Sequence, residues 1–167
     1  MGLFDKLKKQ ETILNVSEAQ QKLYSSLTEY TGWKFLKSQR CLRKNIDNIV
    51  FDIVFYSSKY NCSGKHIEVN CEFLFWNKDF DKTCNVNSKI GFILFKPNNN
   101  YWFDISTNVK LEDVIEELKS KIDKYVFPLI NKFEENYDNA IIYLSDDNTQ
   151  KLYNLKNFAV FEKMENK

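Results

Sequence analysis

The chain has 167 residues, of which 43% are hydrophobic and 16% aromatic, so it is long enough to bury one substantial core. Its net charge of +1 supplies no global attraction to nucleic acid or to an anionic membrane. No apolar run approaches the roughly 18 residues of a membrane span, and the first nine residues interleave charged and apolar positions, unlike a secretory leader. These features predict a cytoplasmic protein with one domain and no membrane span.

The cysteines and the single histidine offer little chemistry. Cys41, Cys62, Cys71 and Cys84 include no C-x-x-C pair, and we expect all four to be reduced thiols. A catalytic Cys-His or Ser-His pair would have to use His66, and a zinc site built from His66 and these thiols would lack the spacing of a zinc finger. We therefore expect no metal, no cofactor and a solvent-facing imidazole.

The N-terminal part contains one predicted helix. Residues 1–15 are polar and rich in lysine, and they are expected to form a flexible segment. A capping-box pattern at Ser17 predicts the start of a helix, Leu23 and Leu27 supply its apolar stripe, and Gly32 is expected to end it.

The middle of the chain alternates large apolar and polar residues, which is typical of strands that bury one face. Five strands are predicted, at residues 33–37, 49–56, 66–76, 90–95 and 101–105, with a basic turn over residues 40–48. The odd-numbered positions Phe51, Ile53, Phe73 and Phe75 are expected to form the core.

The last third begins with helical periodicity. Apolar residues recur at helical spacing from Leu111 to Phe133, and Pro128 should kink or split this helix near residues 125–127. Residues 139–144 form a short amphipathic piece, and residues 149–167 are compatible with a helix or a strand before a polar tail.

The order of these elements predicts an α+β fold. It would be an antiparallel sheet of four to five strands with helices packed on one face. The single domain is expected over residues 16–160, and the polar tail over residues 161–167.

No sequence motif points to an enzyme. Gly2, Gly32, Gly64 and Gly91 are the only glycines, and they cannot form a P-loop or a dinucleotide-binding fingerprint. The carboxylates at the start of the late helix are expected to form a solvated face. A non-enzymatic binding protein is therefore the favoured interpretation.

A candidate binding surface lies at even-numbered positions of the second and third predicted strands. Asp52, Tyr56, Glu68, Glu72 and Trp76 share one face if these strands form a hairpin. Exposed aromatic rings would supply contact area and the acids would supply charge selectivity, so this face could bind another protein. Two alternatives remain. A helix or the C-terminal segment could cover the face, or the carboxylates could serve a small hydrolase or transferase without a familiar motif, for example in metal-assisted hydrolysis.

A basic cluster suggests a weaker alternative. Lys34, Lys37, Arg40, Arg43 and Lys44 lie in or near the basic turn and could bind nucleic acid. The balanced net charge and the presence of only two arginines argue against that function.

Several segments of the chain resemble the bacterial domain of unknown function 4304 family over roughly residues 19–144. They are the helix end GWKF at residues 32–35, the strand at 49–56, the polar reversal into the strand at 66–75, and FPLINKF at 127–133. The chain departs from that family at FYSS, residues 55–58, where a glutamine often accompanies lysine and serine. The resemblance implies an α+β fold and no established activity. By analogy, the chain would be an immunity-type or accessory protein that binds another protein.

Overall fold

A computed structural model describes residues 12–47, 49–77, 92–94, 102–135, 141–146, 149–154 and 160–164. The elements are α1 (Val16–Thr31), β1 (Lys34–Leu36), β2 (Cys41–Ile46), β3 (Ile49–Ser57), β4 (Glu68–Asn77), β5 (Phe92–Leu94), β6 (Phe103–Asp104), α2 (Asn108–Lys121), a π-helical segment (Ile122–Val126), α3 (Phe127–Glu135), β7 (Ile141–Asp146), β8 (Thr149–Asn154) and β9 (Val160–Met164). The predicted α+β class is confirmed. Within the described residues, none of the helices combines the length and the apolar character needed to cross a membrane.

Helix α1 is capped by a residue that the sequence pattern did not indicate. The Asn15 side chain accepts a hydrogen bond from the Glu18 backbone N–H at 2.7 Å, so the cap predicted at Ser17 is wrong by two residues. Gly32 ends the helix as predicted. Its φ of 67° lies in the left-handed region that a helix C-terminus commonly needs and that glycine adopts without strain.

The residues just before α1 already pack against the rest of the domain. Ile13 pairs with Thr107 in an isolated antiparallel bridge, and the Leu14 N–H donates to the Ser106 carbonyl at 2.8 Å. Leu14 is also buried. Residues 13–15 are therefore not part of a flexible segment as predicted, and residues 1–11 lie outside the described part of the chain.

The main sheet is antiparallel. Its strands follow the order β1-β2-β3-β4-β5, and β6 also pairs with β4. Since β3 occupies one edge of β4, both β5 and β6 lie along the other edge. Strand β2 occupies most of the segment predicted as a basic turn, so that prediction is wrong and the sheet has one more strand than expected.

One face of this sheet, here called the core face, packs against the helices. Leu42, Phe51, Ile53, Phe55 and Phe73 project from it and are buried. They form one hydrophobic cluster with apolar residues of α1 and α2, which confirms that the helices cover one face. The side chain of Phe75, the fourth predicted core position, lies outside the described part.

The late helix is interrupted where its sequence predicts. Residues 122–126 form a π-helical segment between α2 and α3. In that segment the Phe127 N–H bonds to the Ile122 carbonyl, five residues earlier. Pro128 follows directly and has no N–H to donate, so the widened turn precedes the residue that cannot continue a regular helix.

A second antiparallel sheet, with the strand order β7-β8-β9, occupies the C-terminal part. Strand β7 includes residues 141–144 of the expected amphipathic piece, and β8 and β9 show that the segment compatible with a helix or a strand contains strands. Strand β9 covers four of the residues predicted as a polar tail, residues 161–164.

Candidate functional site

The face of the main sheet opposite the core face, here called the second face, is divided into two halves. Strand register places Arg43 opposite Asp52, Asp52 opposite Leu74, and Tyr56 opposite Asn70 on this face. At one half, Asp52 is only 2% exposed, and Leu74 is buried as well. At the other half, Tyr56 is 41% exposed. The second face is therefore covered at one half and open at the other.

Asp52 belongs to the covered half, so its expected exposure is wrong. Arg43 donates to both of its carboxylate oxygens, from Nε to Oδ1 and from Nη2 to Oδ2, each at 2.7 Å. The same guanidinium bonds to the Gln39 side chain at 2.8 Å. The hydrogen bonding between Arg43 and Asp52 is the main reason that the pKa of Arg43 is raised. Asp52 is a structural ion-pair partner and does not belong to an exposed surface.

Tyr56 and Glu72 form the centre of the open half. Glu72 is the diagonal neighbour of Tyr56 on this face, and its carboxylate acts electrostatically on the phenol. Partial burial and then the Glu72 charge raise the pKa of Tyr56 to about 12, so the phenol stays protonated at physiological pH. The pair presents an aromatic ring, a hydroxyl and a carboxylate together.

Glu68 and Asp104 extend the open half across the edge of β4. They occupy opposite positions in the β4–β6 pairing, so both side chains lie on the second face. His66 Nε2 lies 3.1 Å from a Glu68 oxygen. We call Tyr56, Glu68, Glu72 and Asp104 the acidic surface.

Asp104 bonds to two residues near the start of α2, Ser106 before the helix and Lys110 in its first turn. Its carboxylate accepts hydrogen bonds from the N–H and the hydroxyl of Ser106, and Lys110 Nζ lies 2.6 Å from Oδ2. Partial burial alone would raise the pKa of Asp104, but these bonds outweigh burial and lower it. Glu68, Glu72 and Asp104 carry three negative charges and Lys110 carries one positive charge, so these four residues have a net charge of −2.

The structure thus keeps three of the five predicted binding residues together. Tyr56, Glu68 and Glu72 share the open half, whereas Asp52 is buried in the other half. Trp76 belongs to β4 opposite the buried Val50, and its side chain lies outside the described part. The prediction missed Asp104, because its contact with β4 joins strands that are distant in sequence.

The described groups do not form a nucleophilic triad. Such a triad needs a hydroxyl or thiol bonded to an imidazole that a carboxylate orients. Here the Ser106 hydroxyl bonds directly to Asp104, and the imidazole of His66 lies against Glu68 instead. Within the described residues, no group of three or more histidine, cysteine or acidic side chains is placed to hold a metal ion.

The described residues also form a depression along α1 and include three cysteines. The depression has a volume of about 640 Å³, and its one carboxylate, Glu18, pairs with Lys22 at 3.0 Å. Cys41 and Cys71 are buried cysteines that form no disulfide with another described residue, and burial raises the pKa of Cys71 well above its usual value. Cys62 is free and exposed, and Cys84 lies outside the described part.

The structure divides the predicted basic cluster. Arg43 bonds to Asp52, and Lys44 Nζ lies 2.8 Å from Glu134 on α3. Lys34, Lys37 and Arg40 remain exposed around the hairpin between β1 and β2.

Comparisons of the chain with protein-family models, with curated proteins and with solved structures found no match. The resemblance to the domain of unknown function 4304 family therefore stays a prediction.

Proposed function

We propose that this chain is a non-enzymatic protein-binding domain whose acidic surface receives a positively charged segment of another protein. One observation carries the proposal. Tyr56, which is 41% exposed, lies beside Glu72 on the half of the second face that remains open. Aromatic side chains with a polar end supply much of the energy at protein interfaces.

The charge of the surface determines the kind of partner. Among the described residues, the three carboxylates Glu68, Glu72 and Asp104 outnumber the one lysine that pairs with them, Lys110. A net negative surface accelerates association with a positively charged partner and repels acidic ones. The partner therefore presents lysine or arginine to the carboxylates and an apolar or planar group to the tyrosine ring.

The proposed setting is the cytoplasm, with the chain acting as an inhibitor or accessory protein of its partner. The described cysteines Cys41, Cys62 and Cys71 form no disulfide with one another, which suits a reducing compartment. An immunity-type role agrees with a small binding domain that offers charge and aromatic contact, and it makes no demand for a cofactor.

Site-specific photocrosslinking tests this function. A photoreactive phenylalanine analogue placed at Tyr56, in the cells that naturally express the protein, should capture one partner through a lysine-rich or arginine-rich segment. Tyr125 is the matched control position, because it is 38% exposed and lies on the π-helical segment, outside the acidic surface. Capture of the same products from both positions, or of segments without basic residues, would contradict the proposal.

A further inference from the structure

We propose that the free edge of β1 is a second docking site, which adds an acidic, extended segment of a partner protein as a further strand. Within the described residues β1 pairs only with β2 and therefore forms one edge of the main sheet. The site is distinct from the acidic surface and does not depend on its function.

The direction of the backbone groups follows from one hydrogen bond. The Phe55 N–H donates to the Arg40 carbonyl at 2.9 Å, which fixes the alternation along β2. The backbone groups of Leu42 then point to β3, whereas those of Cys41 and Arg43 point to β1.

On β1, the residues opposite Arg43 and Cys41 are Lys34 and Leu36, so their backbone groups are directed to β2. The N–H and C=O of Phe35 point the other way, out of the sheet edge. The Phe35 ring stacks on Tyr24 of α1, with ring centroids 5.0 Å apart, and this packing holds the outward peptide groups in place. An added strand would form its hydrogen bonds with these two groups of Phe35.

The charges around this edge select the partner. Lys34, Lys37 and Arg40 are exposed, and none of them has an ion-pair partner among the described residues. A second copy of the chain would be disfavoured, because antiparallel pairing centred on Phe35 would bring the lysines of both copies together. An acidic segment would instead place its carboxylates beside these three cations.

An NMR titration with a blocked peptide of alternating glutamate and valine residues tests the proposal. The peptide should shift the Phe35 amide resonance and slow its hydrogen exchange. A peptide of the same sequence with N-methylated backbone amides carries the same charge but cannot donate strand hydrogen bonds, and it should not bind. Equal binding of both peptides, or no change at Phe35, would overturn strand addition.

Charge variants complete the test. The Lys34→Glu/Lys37→Glu protein should bind the unmodified peptide about tenfold more weakly. The matched control, Lys59→Glu/Lys65→Glu, reverses two exposed lysines on the loop between β3 and β4 and should bind as the wild type does. Equal affinity for all three proteins would overturn the site, as would tight binding of a single-stranded oligonucleotide at Phe35 without any binding of the peptide.

Discussion

Arg43 on β2 and Asp52 on β3 face each other as a bidentate ion pair in the covered half of the second face. Both hydrogen bonds measure 2.7 Å, and Asp52 is almost completely buried. The two strands are direct neighbours in the sheet, so the pair fixes their register by charge as well as by apolar packing.

Breaking this pair should destabilise the protein strongly. Asp52→Ala leaves the Arg43 guanidinium without its counter-charge, and the free energy of unfolding should fall by about 3 kcal/mol. The double variant Asp52→Leu/Arg43→Met replaces the pair with apolar groups and should recover most of that loss. Urea unfolding measures both. A loss below about 0.5 kcal/mol in the single variant, which is typical of a surface position, would contradict the buried pair.

The Phe73 ring should be essential to the core. It lies parallel to the Phe51 ring at a centroid distance of 6.2 Å, and both side chains are fully buried. Phe73→Ala should cost about 3–5 kcal/mol because it removes apolar contacts and leaves a cavity. Tyr60→Ala is the control, since Tyr60 is 73% exposed. Thermal unfolding should separate the two variants, and similar melting temperatures would show that the core face is assigned incorrectly.

The contact between Tyr56 and Glu72 can be tested by titration. The pKa of Tyr56 should be about 12, and Glu72→Gln should lower it because the carboxylate charge is removed. It should stay above the ordinary value of 10, since partial burial persists. NMR of tyrosine-labelled protein, over the pH range in which it stays folded, measures the shift. Glu68→Gln is the matched control, and an equal effect of both variants would place Glu72 away from the phenol.

Asp104 should contribute to the acid sensitivity of the fold. Its folded-state pKa is lower than the value of about 3.9 for an unfolded aspartate. Its charged form therefore stabilises the protein above that unfolded value, and the stabilisation is lost as the pH falls through the folded pKa. Asp104→Asn should be less stable than the wild type at neutral pH, and the gap should narrow below about pH 4. Melting temperatures between pH 2 and 7 test this, and a constant gap would exclude the linkage.

Strong alternation made the core face predictable. Phe51, Ile53 and Phe73 recur at period two, and burial of one sheet face requires only that pattern. The pattern in β2 is weaker, because Arg43 and Lys44 are charged and their neutralising partners come from other elements. The sequence pattern therefore does not predict β2 as a strand. Without β2 it also gives no partner for Asp52, which is buried because it pairs with Arg43 of that strand.

Tertiary contacts also decided the start of α1. Asn15 and Ser17 are both suitable N-cap residues, so local sequence cannot choose between them. The Ser63 hydroxyl, 47 positions away, accepts the Val16 N–H at 3.0 Å and favours the earlier start. In the same way, Asp104 joins the acidic surface through the β4–β6 pairing, which no local sequence pattern predicts.

The association rate of the partner captured through position 56 tests the central claim most directly. Glu68→Gln/Glu72→Gln should slow association about tenfold and reduce its dependence on salt, because the attracting charges are removed. The control Glu112→Gln/Asp113→Asn removes two exposed acids from α2 and should associate at the wild-type rate. Equal association rates for the wild type and both variants would contradict the account.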